Sequence, residues 1–181
     1  MAMKEIRLHG RGGQGAVKAA QLVVRAAVTG GKQAQFIPFF GVERKGSPVF
    51  GYLRVADEPI RRKTQIYTPD MLLILDDSLV MLPETYAGLK EGGVIIINST
   101  KSAEELNIPQ QAGTVAEVDA TAIAEKHLGR NIPNTTILGA FGKVSDLVDT
   151  ETLFSTIEEI FGKENRKCAE EAYEAVTIIR K

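Results

Sequence analysis

Two short runs dominate the hydrophobic pattern. Met71-Leu72-Leu73-Ile74-Leu75 and Val94-Ile95-Ile96-Ile97 are continuously apolar, and each ends in polar residues, Asp76-Asp77 and Asn98-Ser99. Strands covered on both faces read this way, which predicts a parallel sheet with flanking helices. Residues 3–9 predict a short opening strand, 33–40 a second strand with Pro38 near its end, and 114–118 a further one. Residues 49–56 alternate. Val49, Gly51, Leu53 and Val55 face one way and Phe50, Tyr52 and Arg54 the other, the pattern of a half-buried strand in an antiparallel pairing.

Helical periodicity fills the intervals. Residues 14–28 are apolar almost all round, as in a helix buried on most faces, and Gly30-Gly31 stops it. Residues 79–90 form the crossover between the two apolar runs, with Gly92-Gly93 as the turn. Residues 119–128 predict a short helix, and so does Thr135–Phe141 despite the glycines at 139 and 142. Residues 150–161 end at Gly162. Residues 164–179 place Cys168, Ala169, Ala172, Tyr173, Val176 and Ile179 on one stripe, predicting an amphipathic packing helix. The expected fold is a single α/β domain over 1–181, with a Rossmann-like, mostly parallel sheet, flanking helices and a helical C-terminal third.

Composition narrows the chemistry. With 22 basic and 23 acidic residues the net charge is −1, which argues against nucleic acid as a partner. The single cysteine, Cys168, excludes an internal disulfide and an iron–sulfur cluster ligated by this chain alone. The two histidines, His9 and His127, stand far apart and suggest no metal site. No apolar run reaches the roughly 18 residues of a membrane span, and residues 1–6 lack a signal-peptide pattern. The expectation is a cytoplasmic protein.

The chemistry-bearing stretch is "HGRGGQGAVKAA", residues 9–20, with glycines at 10, 12, 13 and 15. Gly10, Gly12 and Gly15 satisfy G-x-G-x-x-G between a predicted strand and a predicted helix, the context in which backbone amides meet a phosphate. The acidic residue that a dinucleotide site needs at the end of the second strand is absent from Gln33-Ala34-Gln35-Phe36-Ile37, which weakens an NAD(P) reading. The Gly-Lys-Ser/Thr ending of a nucleotide-hydrolysing loop is missing too. Two readings remain: an anion site for another phosphate-bearing ligand, or glycines that only permit close helix–strand packing. Arg44 and Lys45, in a glycine-bracketed loop after the second strand, are placed by a doubly wound topology on the same sheet edge as the glycine loop. Asn134 reads as a helix N-cap. Asp76 and Asp77, adjacent in a strand, point to opposite faces and make a poor acid–base pair. His9 reads as a buried, hydrogen-bonded histidine, Cys168 as core, and Arg61-Arg62-Lys63 as a solvated turn. No nucleophile–base constellation is visible.

Four segments carry a resemblance: "GRGGQGAVKAAQLV" at 10–23, "FFGVERKGSPVFGYLRV" at 39–55, "DMLLILDDSL" at 70–79 and "NTTILGAF" at 134–141. Together they resemble the gamma subunits of the 2-oxoacid:ferredoxin oxidoreductases. The segment 41–49 looks most like the pyruvate branch, and a gamma subunit shared with a branched-chain (2-oxoisovalerate) enzyme would look similar. The resemblance implies a subunit, not catalytic alone, of a complex that decarboxylates a 2-oxoacid on thiamine diphosphate, passes electrons through [4Fe–4S] clusters to ferredoxin, and transfers the acyl group to coenzyme A. Thiamine diphosphate and the clusters would belong to the alpha, beta and delta (ferredoxin-like) partners. The gamma chain would contribute to coenzyme A binding through Gly12, Gly13, Gln14, Gly15 and Ala16 of the glycine loop, through Arg44 and Lys45 of the basic loop, Lys45 foremost, and through Asn134. One departure is the helix around Ala172, which lacks an asparagine that single-chain relatives carry. A free-standing nucleotide-binding oxidoreductase remains the third alternative.

Overall fold

The computed structural model describes residues 2–39 and 46–180. Its centre is a seven-stranded sheet. In chain order the strands are β1 (Lys4–Arg11), β2 (Gln33–Phe39), β3 (Pro48–Ala56), β4 (Met71–Ile74), β5 (Gly93–Asn98), β6 (Ala112–Val118) and β7 (Thr177–Arg180), and in space the order is β2-β3-β1-β4-β5-β6-β7. β1, β4, β5 and β6 run parallel, and β3 lies antiparallel between β1 and β2. β2 therefore points the same way as β1, so five of the seven strands share one direction, as the mostly parallel expectation requires.

All the longer helices lie on one face. α1 (Ala16–Thr29), α3 (Ala120–Leu128), α4 (Ile137–Val144), α5 (Thr150–Phe161) and α6 (Lys163–Ala175) join the apolar cluster that includes Ile6, Leu8, Leu53, Leu73 and Ile96. The opposite face is covered differently. Leu72, Ile74, Ile95 and Ile97 pack there against Val80, Leu89 and Leu106, which come from a 3-10 turn (Asp77–Met81), the segment beyond the single-turn α2 (Pro83–Tyr86), and the β5–β6 connection. The runs 71–75 and 94–97 are thus buried on both sides, as their continuity predicts, but irregular chain covers one of those sides. The crossover 79–90 contains only one turn of α-helix.

Three further differences have local causes. β3 is not half-buried: Tyr52 and Arg54 are 8% and 0% exposed. Chain after the strand folds back over this face, and Arg54 holds it through Nη2 to the carbonyl of Thr64 at 2.7 Å and Nη1 to that of Arg62 at 3.4 Å. Arg54 Nε also meets Glu5 Oε1 at 2.8 Å, closing a buried ion pair. The predicted helix 164–179 stops at Ala175. The four consecutive β-branched residues Val176-Thr177-Ile178-Ile179 favour an extended chain, and β7 pairs antiparallel with the edge of β6, so Val176 and Ile179 leave the helical stripe. Gly139 and Gly142 do not interrupt α4. A Cβ on Gly139 would lie 2.0 Å from the Ala169 carbonyl oxygen, so the missing side chain is what lets α6 close onto α4. Cys168 is fully buried in that contact, as its place on the apolar stripe predicts.

Candidate functional site

β1 is flanked by β3 on one side and β4 on the other, and the chain leaves it through α1 toward the β2–β3 side. The carboxyl ends of β1 and β4 thus form the point where the sheet's connections diverge, the place where open α/β sheets leave a crevice for ligands. A polar cavity of about 290 Å³ lies there, walled by Gln14, Asp76, Asp77, Asn98, Asp119 and Thr121 among others.

The glycine loop borders this cavity, and its glycines have separate jobs. A Cβ on Gly10 would come within 3.2 Å of Ala16 Cβ, so this position serves close helix–strand packing. Gly12 is tied to the end of the basic loop: its N–H donates to the Ser47 carbonyl at 2.9 Å and its carbonyl accepts from Gly46 N at 3.1 Å. Gly13 has φ +98° with nothing near a Cβ, an exposed backbone corner that a side chain would strain. Gly15 has φ +79°, and a Cβ there would sit 2.5 Å from Asn134 Nδ2. Asn134 is therefore packed against the turn. Its Oδ1 accepts from Thr135 N at 2.8 Å, one residue on, and α4 begins only at Ile137, so the expected N-cap is displaced from the helix.

Gln14 bridges the crevice. Its Oε1 accepts from Arg11 N at 2.7 Å, and its Nε2 donates to Asp76 Oδ2 at 2.8 Å. Asp76 also pairs with Arg11 Nε at 3.4 Å, accepts from Ser78 N at 3.0 Å, and takes a short hydrogen bond from the Ser78 hydroxyl. Burial alone would raise its pKa, but these donors win and hold it below the usual carboxylate value. Asp77 turns to other partners, Ser99 Oγ at 2.9 Å and Lys101 Nζ at 3.1 Å. Asp119 caps α3 through Ala122 N at 2.9 Å. The two adjacent aspartates take different partners, but not by strand alternation as expected: β4 ends at Ile74, Asp76 caps the 3-10 turn and Asp77 opens it, and all three carboxylates are engaged within the protein.

Donors are concentrated on the α1 side. The helix has no side-chain cap and no acidic residue in its first turn. The amides of Gly12 and Gln14 are used internally, whereas no acceptor among the described residues takes those of Gly13, Gly15 or Ala16. This arrangement suits an anion at the helix start. The acceptor-rich crevice beside it suits hydroxyl and amide donors.

Of the residues singled out in the sequence, Gly12, Gly13, Gln14, Gly15, Ala16 and Asn134 come together. Arg44 and Lys45 lie outside the described residues, but the Gly12–Gly46 and Gly12–Ser47 hydrogen bonds bring the end of their loop to the glycine turn. Sequence reasoning did not find the Gln14–Asp76 bridge, or Asn98 and Thr121 as crevice residues. The signal available was the polar endings of the two apolar runs.

The geometry also bears on dinucleotide binding. The strand beside β1 on the crevice side is β4, not β2, and the acid at its end, Asp76, is saturated by Arg11, Gln14 and Ser78. Among the described residues, no free carboxylate stands where a ribose would need one.

Residues 5–177 match the model of the pyruvate ferredoxin/flavodoxin oxidoreductase family. The chain belongs to that family. A relative from Thermococcus kodakarensis, the common gamma subunit of pyruvate/ketoisovalerate oxidoreductases, is 49% identical over 97% of this chain and 98% of its own. Within this oxidoreductase family, the crystal structure of pyruvate oxidoreductase subunit PORC from Thermotoga maritima superposes with a TM-score of 0.86 at 34% identity, covering 97% of this chain and 98% of that one. The 2-oxoglutarate:ferredoxin oxidoreductase of Magnetococcus marinus, solved with 2-oxoglutarate, coenzyme A and succinyl-CoA, shares the fold at a TM-score of 0.75 and 18% identity; the match covers 95% of this chain and 30% of that longer one. Among the described residues, no helix is long and apolar enough to cross a membrane.

Proposed function

We propose that this chain is the gamma subunit of a cytoplasmic, multisubunit pyruvate:ferredoxin oxidoreductase and supplies part of its coenzyme A site. The observation that carries the coenzyme A assignment is the uncapped start of α1, where no acceptor among the described residues takes the amides of Gly13, Gly15 and Ala16, with an open face at Gly13. A pyrophosphate can approach such a corner without displacing a side chain. Lys45 and Arg44 add cationic contacts from the loop whose end is bonded to Gly12. Bound coenzyme A supplies the thiol that receives the acyl group; Gly13, Gly15 and Ala16 hold the phosphates, and Gln14 keeps the loop in place against Asp76. The one cysteine, fully buried, agrees with [4Fe–4S] clusters and thiamine diphosphate belonging to alpha, beta and delta partners, with ferredoxin as the acceptor.

The test is anaerobic purification of the tagged chain from its native extract. Co-purification of a thiamine-enzyme subunit and a cysteine-rich ferredoxin-like chain, with coenzyme A-dependent turnover of pyruvate, is expected; recovery of the chain alone would contradict the reading. The name of the Thermococcus relative favours a second substrate, 2-oxoisovalerate, handled by a sister complex sharing this subunit. Assaying both acids on the purified material separates the two.

A further inference from the structure

The sheet ends on one side at β2, and among the described residues no further strand pairs with its outer edge. The pairing fixes which groups that edge presents. On β1 the carbonyls of Glu5 and His9 accept from Asp70 N and Leu75 N on the β4 side. Ile6 and Leu8 therefore serve β3, where they meet Leu53 and Gly51. Tyr52 and Arg54 are left to bond β2, at Ile37 and Gln35. The N–H and C=O groups of Ala34 and Phe36 thus point outward, as does the nitrogen of Pro38, which carries no hydrogen.

Free strand edges are ordinarily guarded by charged side chains, and Gln33–Phe39 carries none. Beside the edge runs a groove of about 520 Å³ between β2 and α1, lined on the strand side by Ala34, Phe36 and Pro38. Its other wall is a stripe of α1, Val17, Gln21, Val24 and Val28, spaced by four, three and four residues like the seam of paired helices. Val17 and Val24 are half-buried, and Val28 is 55% exposed. Arg25, the charged residue of this wall, is held by Glu159 of α5.

We propose that this edge binds the same edge of a second copy of the chain, antiparallel about a two-fold axis at Gln35, joining two sheets into one. Ala34 of each copy then faces Phe36 of the other, and each pair exchanges both of its main-chain hydrogen bonds. Pro38 falls outside the ladder. Moving the axis to Phe36 would instead set the Pro38 ring against the Ala34 carbonyl of the second copy. α1 lies over β2 and β3. With neighbouring strands about 4.8 Å apart, the two α1 helices come side by side on one face at roughly 10 Å, the distance of packed helices, and their valines fill the grooves. The patch complements itself in charge: donors meet acceptors, the strand is neutral, and the net charge of the chain is only −1. Ten residues line the groove in each copy, roughly a third to a half of one side of a standard interface, which points to a dimer with a Kd in the micromolar range. The interface does not rest on the coenzyme A reading, which can fail without affecting it.

Sedimentation velocity of the full-length chain from about 1 to 200 μM should show a reversible monomer–dimer equilibrium. Ala34→Pro removes an outward donor and leaves the bonds to β3 in place; Val28→Glu puts a charge on the exposed helix stripe. Each should weaken the dimer about tenfold or more while circular dichroism shows the fold retained. The register has its own readout. Gln35 faces Gln35 of the second copy in a non-hydrogen-bonded pair, where Cβ atoms stand about 4.5–5.5 Å apart, close to disulfide geometry. Gln35→Cys should therefore cross-link on mild oxidation, since the native Cys168 is fully buried, whereas Gln33→Cys, which faces Ile37, should not. A monomer throughout the concentration range, a dimer indifferent to Ala34→Pro and Val28→Glu, or equal cross-linking at 33 and 35 would overturn the proposal. So would a Gln35→Cys chain that no longer links to its own kind within the assembled oxidoreductase, because the edge would then belong to another subunit.

Discussion

Gln14 Nε2 donates to Asp76 Oδ2 at 2.8 Å, so the turn after β1 is tied to the end of β4 across the crevice. The bond turns Gln14, which sequence reading groups with the phosphate-facing residues, into the residue that fixes the shape of the loop. It also places an ionised carboxylate under the loop, held there by Arg11, Gln14 and Ser78. The folded-state pKa of Asp76 is depressed: burial pushes it up, but the hydrogen bonds and Arg11 outweigh this. A depressed carboxylate contributes stability that is present above its unfolded value, about 3.9, and lost as pH falls through the folded one. Urea unfolding of Asp76→Asn should therefore give a flatter stability curve than wild type below about pH 4. Parallel curves in that window would mean that Asp76 is not held in the ionised state.

Arg54 and Glu5 form the buried counterpart on the other sheet face, and Arg54 also anchors the chain after β3 through the carbonyls of Arg62 and Thr64. Removing Arg54 leaves Glu5 with the largely exposed Arg62, whose Nη1 lies 3.5 Å from the same oxygen, so the cost falls at the low end of that for breaking a buried pair, about 3 kcal/mol. Arg54→Met should lower stability by that order and expose residues 57–70 to limited proteolysis. An unchanged cleavage pattern would show that the segment is held by something else.

Gly139 and Gly142 make an internal comparison on one helix. A methyl group at 139 would lie 2.0 Å from the Ala169 carbonyl oxygen, whereas at 142 it would lie 3.4 Å from Thr150 Cγ2. Gly139→Ala should cost about 2 kcal/mol or more by forcing α6 away from α4. Gly142→Ala should be close to neutral, since a helix-propensity gain of up to about 1 kcal/mol offsets the tighter contact. Equal effects in thermal unfolding would refute the close α4–α6 contact.

His9 supplies a pH dependence of its own. Its folded pKa, lowered to about 3 by burial and then by Arg7, lies below the unfolded value of about 6.5. The unfolded chain binds a proton that the native state does not. Stability is therefore full above about pH 6.5 and declines as pH falls toward 3. Imidazole ¹⁵N spectra should show His9 still neutral near pH 5, and His9→Gln should flatten the stability curve between about pH 6.5 and 5. A native-state His9 that titrates near 6.5 would contradict the buried Arg7–His9 arrangement.

Much of this was written in local pattern. The continuous apolar runs at 71–75 and 94–97 announced central strands, the glycine cluster announced a special turn before a helix, and the alternation at 49–56 announced antiparallel pairing. What escaped was set by partners distant in sequence. Arg54 reads as a solvent-facing position because nothing nearby shows that chain eight to ten residues on will return to take its guanidinium. Val176 and Ile179 continue a helical stripe, and only the free edge of β6, some sixty residues earlier, resolves their β-branched run as a strand. Gln14 lies within a motif that was recognised, but its bridge to Asp76 spans 62 residues. The motif revealed where the site was, and the sheet order decided which groups met there.

The central claim is that the glycine turn and its basic neighbour bind the phosphates of coenzyme A. The most direct measurement is the apparent affinity of the anaerobically assembled oxidoreductase for coenzyme A, with the KM for pyruvate as internal control, in wild type, Gly13→Ala and Lys45→Ala. The account predicts that Lys45→Ala weakens coenzyme A by about 1–3 kcal/mol, the scale of a charge-assisted hydrogen bond. It predicts that Gly13→Ala weakens it too, and that neither moves the pyruvate KM. Assembled variants with wild-type coenzyme A affinity would contradict it and leave the glycines the task of packing alone.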